Sequence, residues 1–204
     1  MSYIAKTLQF EPDSLEGISQ KTIENHFGKL YLGYVAKYNE VIEKSQIMMN
    51  DDQLKEANQS YSQWRGLKDG ETFTLDAILL HEMYFANLGG KGAYNGLEIE
   101  KALIDRYGSM DEFEDVLMAT GMAARGWAVV AINPLDGKFH IYVCDSHNQG
   151  GIWRAKPILI LDVYEHAYFM DYGTDRKSYI EAFWKNIDWS VVNERFLSVG
   201  DLVE

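Results

Sequence analysis

The segment Leu161-Asp-Val-Tyr-Glu-His-Ala-Tyr168 sets a carboxylate at the end of an apolar run and an imidazole four residues later. A strand ending in Asp162, followed by a helix carrying His166, would aim both side chains at one point, and neutral imidazole is the commonest metal ligand. Alone, the spacing decides little, because a helix-capping Asp with a nearby His is an ordinary pattern. Two further histidines change the balance. His81 shares an apolar face with Ile78, Phe85 and Leu88, and His26 stands at i, i+4 and i+8 with Leu30 and Tyr34. One such histidine is usually a core residue bonded to a carbonyl. Two of them, one on each helix of a hairpin, point into a shared interior, where Asp162 and His166 supply the missing ligands. Three imidazoles and one carboxylate suit iron or manganese; zinc fits less well, since closed structural zinc sites usually contain Cys. His147, in the loop His147-Asn-Gln-Gly-Gly151, is a candidate for orienting a bound water. His140 alternates on a strand and is assigned no role.

These residues need positioning elements. Apolar residues Ile23, Phe27, Leu30, Tyr34 and Val41 recur at three- and four-residue steps, which predicts a helix from Ser19 to about Asn50. Asp51 to Gly70 is polar and ends in Gly-Leu-Lys-Asp-Gly, a loop signal, and a second helix is expected from about Thr74 to Leu88. Together they predict an antiparallel helical hairpin. The four glycines of Gly89-Gly-Lys-Gly-Ala-Tyr-Asn-Gly96 mark the expected junction between an N-terminal domain over 1–90 and a C-terminal domain over 91–204. Short helices are expected over Glu98 to Tyr107 and Asp111 to Thr120, the latter opened by a Ser109/Glu112 capping box. The period then changes. Trp127-Ala-Val-Val-Ala-Ile132, the alternating Phe139 to Cys144 after an Asp-Gly turn, and Pro157 to Leu161 predict a three-stranded antiparallel sheet. Helices over about Tyr164 to Tyr172, Asp175 to Lys185 and beyond the capping Asp188 complete an α+β architecture.

Composition bounds the function. With 19 basic and 31 acidic residues among 204, the formal net charge is −12, which argues against a general nucleic-acid or anionic-membrane binder. An apolar content of 47% excludes a disordered chain. The lone cysteine, Cys144, excludes an intrachain disulfide and a Cys-rich zinc site. No apolar stretch approaches the roughly 18 residues needed to span a bilayer. The N-terminal Met-Ser-Tyr-Ile-Ala-Lys lacks a signal-peptide layout, so a cytoplasmic protein is expected.

From about Phe10 to Phe196 the chain resembles the iron/manganese superoxide dismutase family. His26-Phe-Gly-Lys-Leu-Tyr-Leu-Gly-Tyr-Val35 resembles the first-ligand helix, with Tyr34 at the gateway tyrosine, and His81-Glu-Met-Tyr-Phe-Ala-Asn-Leu88 resembles the second. Asp162-Val-Tyr-Glu-His-Ala-Tyr168 resembles the signature Asp-x-Trp-Glu-His-Ala-Tyr, and Asn186-Ile-Asp-Trp189 the closing motif. The resemblance implies a mononuclear Fe or Mn held by His26, His81, Asp162 and His166 with a solvent molecule as fifth ligand. It puts His147 where the family has Gln or His, which favours iron slightly, and makes His147 and Tyr34 the groups that pass protons. It also implies a homodimer through Glu165 and Tyr168, or a tetramer, and superoxide as the anionic substrate, drawn in at short range by Lys29 and Arg176. This branch departs from the family at Leu30, where many members have His, at Phe85, Val129 and Tyr164, where tryptophans are common, and at Lys177 in place of proline. The altered wall leaves two alternatives open: a metal-binding dimer with little dismutase activity, or a metal-dependent enzyme acting on peroxide or dioxygen.

Overall fold

The computed structural model describes residues 2–199. The first helical stretch comprises α1 (Gln20–Asn25), a π-helical turn (His26–Tyr31) and α2 (Leu32–Met48). Ser19 opens it by accepting a hydrogen bond from the Thr22 N–H at 3.2 Å. The π turn holds one more residue than an α-turn, and such turns cluster at functional sites. It corrects the face expected from a uniform 3.6-residue period: Tyr31 and Val35 are buried, whereas Leu30 and Tyr34 are only half-buried.

After a 3-10 turn (Asp52–Glu56), α3 runs over Gln63–Ala86, eleven residues earlier than the expected start at Thr74. The glycines that suggested a loop lie inside it. Gly70 lies against Val41, where a Cβ would be in ordinary contact at 3.5 Å, and Leu67 forms a small second core with Val41 and Met48. Tertiary packing thus outweighs the helix penalty of about 1 kcal/mol per glycine. Ser62 caps α3 through the Arg65 N–H. Helices α2 and α3 form the expected hairpin.

Next come α4 (Glu98–Tyr107) and α5 (Met110–Ala123), whose Ser109 cap accepts from the Glu112 N–H at 3.0 Å. Strands β1 (Trp127–Ile132), β2 (Phe139–Cys144) and β3 (Lys156–Asp162) make one antiparallel sheet in the order β2-β1-β3. Central β1 is buried almost throughout, which explains its unbroken apolar run. Pro157 sits in edge strand β3 beside a register shift, where a missing N–H is tolerated. Helices α6 (Glu165–Tyr172), α7 (Arg176–Lys185) and α8 (Trp189–Val199) follow. No helix among the described residues is long and apolar enough to cross a membrane.

Two devices set α3 against the sheet. The Asn87 amide is paired with the backbone of Ile160, accepting its N–H at 3.1 Å and donating to its carbonyl at 3.3 Å. The Gly89–Gly92 loop is stitched to the connection between α7 and α8, with the Gly90 N–H on Asn186 O and the Gly92 N–H on Ile187 O, both at 3.1 Å. A Cβ on Gly90 would stand 2.3 Å from the Ile187 carbonyl oxygen and 2.5 Å from the Asp188 Cα, backbone atoms that cannot swing aside. Gly90→Ala is therefore expected to destabilise the protein by about 3 kcal/mol, measured as a lower midpoint in denaturant unfolding with an unchanged slope.

Candidate metal centre

Four side chains from four elements converge where the hairpin meets the sheet. His26 opens the π turn, His81 lies in the last turns of α3, Asp162 ends β3, and His166 is the second residue of α6. Their Nε2 atoms lie 3.1, 3.8 and 3.2 Å from Asp162 Oδ2, in the order His26, His81, His166. One donor atom from each residue falls within 4.8 Å of every other. Asp162, His26 and His81 are buried, while the His166 side chain keeps 22% of its surface exposed.

The surroundings prepare these atoms to donate lone pairs. His81 Nδ1 lies 2.7 Å from the Ala77 carbonyl, so that nitrogen carries the proton and Nε2 is left bare. The other Asp162 oxygen, Oδ1, accepts the Tyr164 N–H at 2.9 Å. The Asp162 carbonyl accepts from the Tyr179 hydroxyl at 2.7 Å, and the Tyr84 hydroxyl lies 3.1 Å behind it. Burial holds the His26 imidazole below its ordinary value and pushes His81 down to about 3, with neighbouring imidazoles adding to the shift. Burial pushes the Asp162 carboxyl up, but His166, in hydrogen-bond contact at 3.2 Å, and the nearby His26 ring outweigh it and hold the group well below the carboxylate range. The two buried imidazoles, of His26 and His81, are thus neutral at neutral pH and face an ionised carboxylate.

Chemically, the arrangement is unfinished without a cation. Neither Nε2 of His26 nor Nε2 of His81 has a hydrogen-bond partner, although both are fully buried. Unpartnered buried polar atoms are rare in native structures and demand an explanation. A metal ion accepted by all four donors supplies one, and three nitrogens with one oxygen suit iron or manganese.

Tyr34 and His147 also reach the site. His147 Nε2 lies 2.9 Å from the Tyr34 hydroxyl, and the Tyr34 ring lies 5.4 Å from His81. On its other side, His147 Nδ1 accepts the Trp127 indole N–H at 3.1 Å. Burial pushes His147 down to about 4 and Tyr34 up to about 12, so the imidazole is neutral and the phenol protonated at neutral pH. Trp127 escaped the sequence reading; its signal was an indole opening an otherwise aliphatic run. Its ring also packs 5.0 Å from His81. Tyr164 stacks on His166 at 5.2 Å, and Phe85 lies 4.9 Å from His26. Gly126 makes room for Tyr164, since a Cβ there would meet the ring at 2.9 Å.

The remaining expected residues lie outside this cluster. Lys29 is exposed and lines a groove with Leu30, Glu165 and His166. Arg176 binds the Ala124 carbonyl at 2.7 Å and the Tyr168 hydroxyl at 3.2 Å, so its guanidinium is largely committed within the fold. His140 has a partner after all: Asp136, across the hairpin turn at 2.9 Å.

Comparison with known proteins agrees with this geometry. Residues 95–195 match the model for the C-terminal domain of iron/manganese superoxide dismutases. The chain is 44% identical over 188 residues to an iron superoxide dismutase of Aquifex pyrophilus, covering 91% of this chain and 87% of that one. The chain belongs to the iron/manganese superoxide dismutase family. Further members are an iron superoxide dismutase of Cupriavidus metallidurans, 33% identical over 96% of this chain and 97% of its own, and a manganese superoxide dismutase of Haloferax volcanii, 31% identical over the full length of both. The family thus contains relatives named for each metal.

The Trp127 contact makes His147 Nδ1 an acceptor and places the ring's single proton on Nε2. Nitrogen-15 NMR of the metal-free protein should show His147 in that tautomer alone, and Trp127→Phe should introduce a second population. A wild-type resonance pattern with the proton on Nδ1 would contradict the assignment.

Proposed function

We propose that this chain is a superoxide dismutase holding one Fe or Mn ion per subunit through His26, His81, Asp162 and His166, with iron as the expected ion. The observation that carries this reading is the convergence of three imidazole nitrogens, two of them buried and unpartnered, on one buried carboxylate oxygen. Family membership supports the reaction, and His147 together with the 44% identity to an iron enzyme supports iron. The chemistry supplied by a bound ion is one-electron redox: one superoxide is oxidised to dioxygen and a second, with two protons, is reduced to hydrogen peroxide.

The chain's residues have distinct tasks. Asp162 contributes the ligand set's single negative charge, and burial keeps His26 and His81 neutral, so that they can donate lone pairs. Trp127, Tyr84 and Phe85 exclude bulk water from the interior side, packing against His81 and His26. Proton delivery falls to Tyr34 and His147. The Nε2 proton of His147 is offered to the Tyr34 oxygen, which frees the Tyr34 proton to point elsewhere. Tyr34 is only half-buried, so a proton released there is replaced from outside.

The rim beside His166 supports a homodimer. Glu165 is exposed there, beside Phe169 at 50% and Met170 at 46% exposure. A carboxylate bordered by apolar surface suits a contact with a second copy better than open solvent. Lys29, on the same rim, supplies local positive charge for an anionic substrate on a molecule of net charge −12.

Three measurements test this reading. Protein loaded separately with iron and manganese should dismute superoxide well above the rate of the free ions with at least one metal; inactivity with both rejects the function. Asp162→Ala should weaken metal binding by more than about 100-fold, exceeding the effect of losing an outer partner, and full occupancy on metal analysis would reject the ligand set. Because attraction by Lys29 would be local, added salt should slow turnover through screening within about 8 Å at physiological ionic strength. A rate that climbs with salt would assign control to the global negative charge.

A further inference from the structure

Among the described residues only two carboxylates are buried, Asp162 and Glu82. Glu82 follows His81 on α3 but faces away from the metal cluster, towards the N-terminal segment. Its Oε1 accepts hydrogen bonds from the Tyr3 hydroxyl at 2.7 Å and the Tyr31 hydroxyl at 2.9 Å, and Lys6 Nζ lies 2.6 Å from Oε2. The Lys6 backbone N–H donates to the Tyr31 oxygen at 2.8 Å. The backbone of Tyr3 is held from both sides by the Asn39 amide, at 2.7 and 3.0 Å. Residues 3–6, which are neither helix nor strand, therefore cross α2, the π turn and α3 and bond to all three.

The position of this network matters more than the number of its bonds. Tyr31 ends the π turn that His26 begins, and it is the residue the extra turn carries into the core. Its ring packs 5.1 Å from Phe27 and 6.3 Å from Phe85. Phe85, one helical turn beyond His81, packs on His26 at 4.9 Å. The Tyr31–Glu82 bond thus joins the two ligand-bearing helices on the side away from Asp162, within a residue of His81 and one turn from His26. Burying Glu82 is costly unless its charge is matched, so displacement of either helix would strand a carboxylate. Plain anchoring of the N-terminus would not require a buried charge at the residue next to a metal-facing histidine.

We propose that residues 3–6 form a clamp, in which Tyr3, Lys6, Tyr31 and Glu82 are positioning residues that hold His26 and His81 at their metal-binding separation and so set how long the centre retains its ion. The proposal rests on the metal reading above. Its test is the rate at which iron or manganese passes from the loaded protein to an excess of chelator, in wild type, Tyr3→Phe, Tyr31→Phe and Glu82→Gln. The temperature is one at which circular dichroism shows every metal-free form folded. Losing a hydrogen bond to a charged group should speed release by about tenfold in Tyr31→Phe, with a smaller acceleration in Tyr3→Phe, the milder variant at the outer edge of the network. Release from the double variant Tyr31→Phe/Glu82→Gln should be accelerated by less than the product of the two single effects, since one deletes and the other weakens the same Tyr31–Glu82 bond. Release within about twofold of wild type in all variants would overturn the clamp while leaving the metal site intact. Wild-type protein that takes up neither ion would overturn the metal reading, and the clamp with it.

Discussion

The structure is organised around a buried carboxylate. Asp162 ends a strand whose other residues are almost all apolar, at the junction of hairpin and sheet, where its side chain is cut off from bulk solvent. An unmatched ion in that position costs several kcal/mol even after relaxation. The chain matches it locally with the Tyr164 N–H, which comes free because α6 begins just beyond. The rest must come from elsewhere in the sequence. His26 and His81 are delivered by helices that the hairpin holds together, and His166 by the helix that follows the strand. Asn87 and Gly90 fix how α3 meets the sheet and thus how closely His81 approaches. Four polar groups at the centre of an apolar molecule make this junction the part of the fold with least tolerance for error.

Much of this was legible in the sequence because the signals were strong. The Asp162/His166 pair straddles a change from strand to helix, and His26 and His81 stand among apolar residues repeated at helical spacing. The sheet announced itself through an apolar run, an alternating run and an Asp-Gly turn. What could not be read has a common physical cause. The early start of α3 depends on Leu67 packing near Val41 and Met48, a contact between distant positions that two glycines obscured locally. The π turn inserts a residue into a helical period, so the face predicted from Leu30 and Tyr34 is in fact centred on Tyr31 and Val35. Trp127 and Glu82 were missed because each acts through partners far away in the chain, His147 for the first and Tyr3 and Lys6 for the second.

The departures at the cavity wall acquire a consistent meaning once the neighbours are known. Tyr164 packs against the bare backbone of Gly126, where a Cβ would stand 2.9 Å from its ring. Phe85 serves both His26 and Tyr31, linking the metal cluster to the network at Glu82. Aromatic packing here is the means by which the positions of polar atoms are transmitted, since rings in contact have few alternative arrangements in a close-packed interior.

The direction of the hydrogen bond between His147 and Tyr34 follows from a single donor. An imidazole, unlike a carboxamide, can present either a proton or a lone pair from the same atom, so a histidine facing Tyr34 is ambiguous until its far nitrogen is fixed. An indole N–H can only donate. By occupying Nδ1 of His147, Trp127 removes the ambiguity: Nε2 bears the proton, the Tyr34 oxygen accepts it, and the phenolic hydrogen is turned away from His147. Burial keeps both groups in those forms across neutral pH, because it disfavours the imidazolium and the phenolate alike. A tryptophan at the head of β1 thereby decides which hydrogen lies between His147 and Tyr34.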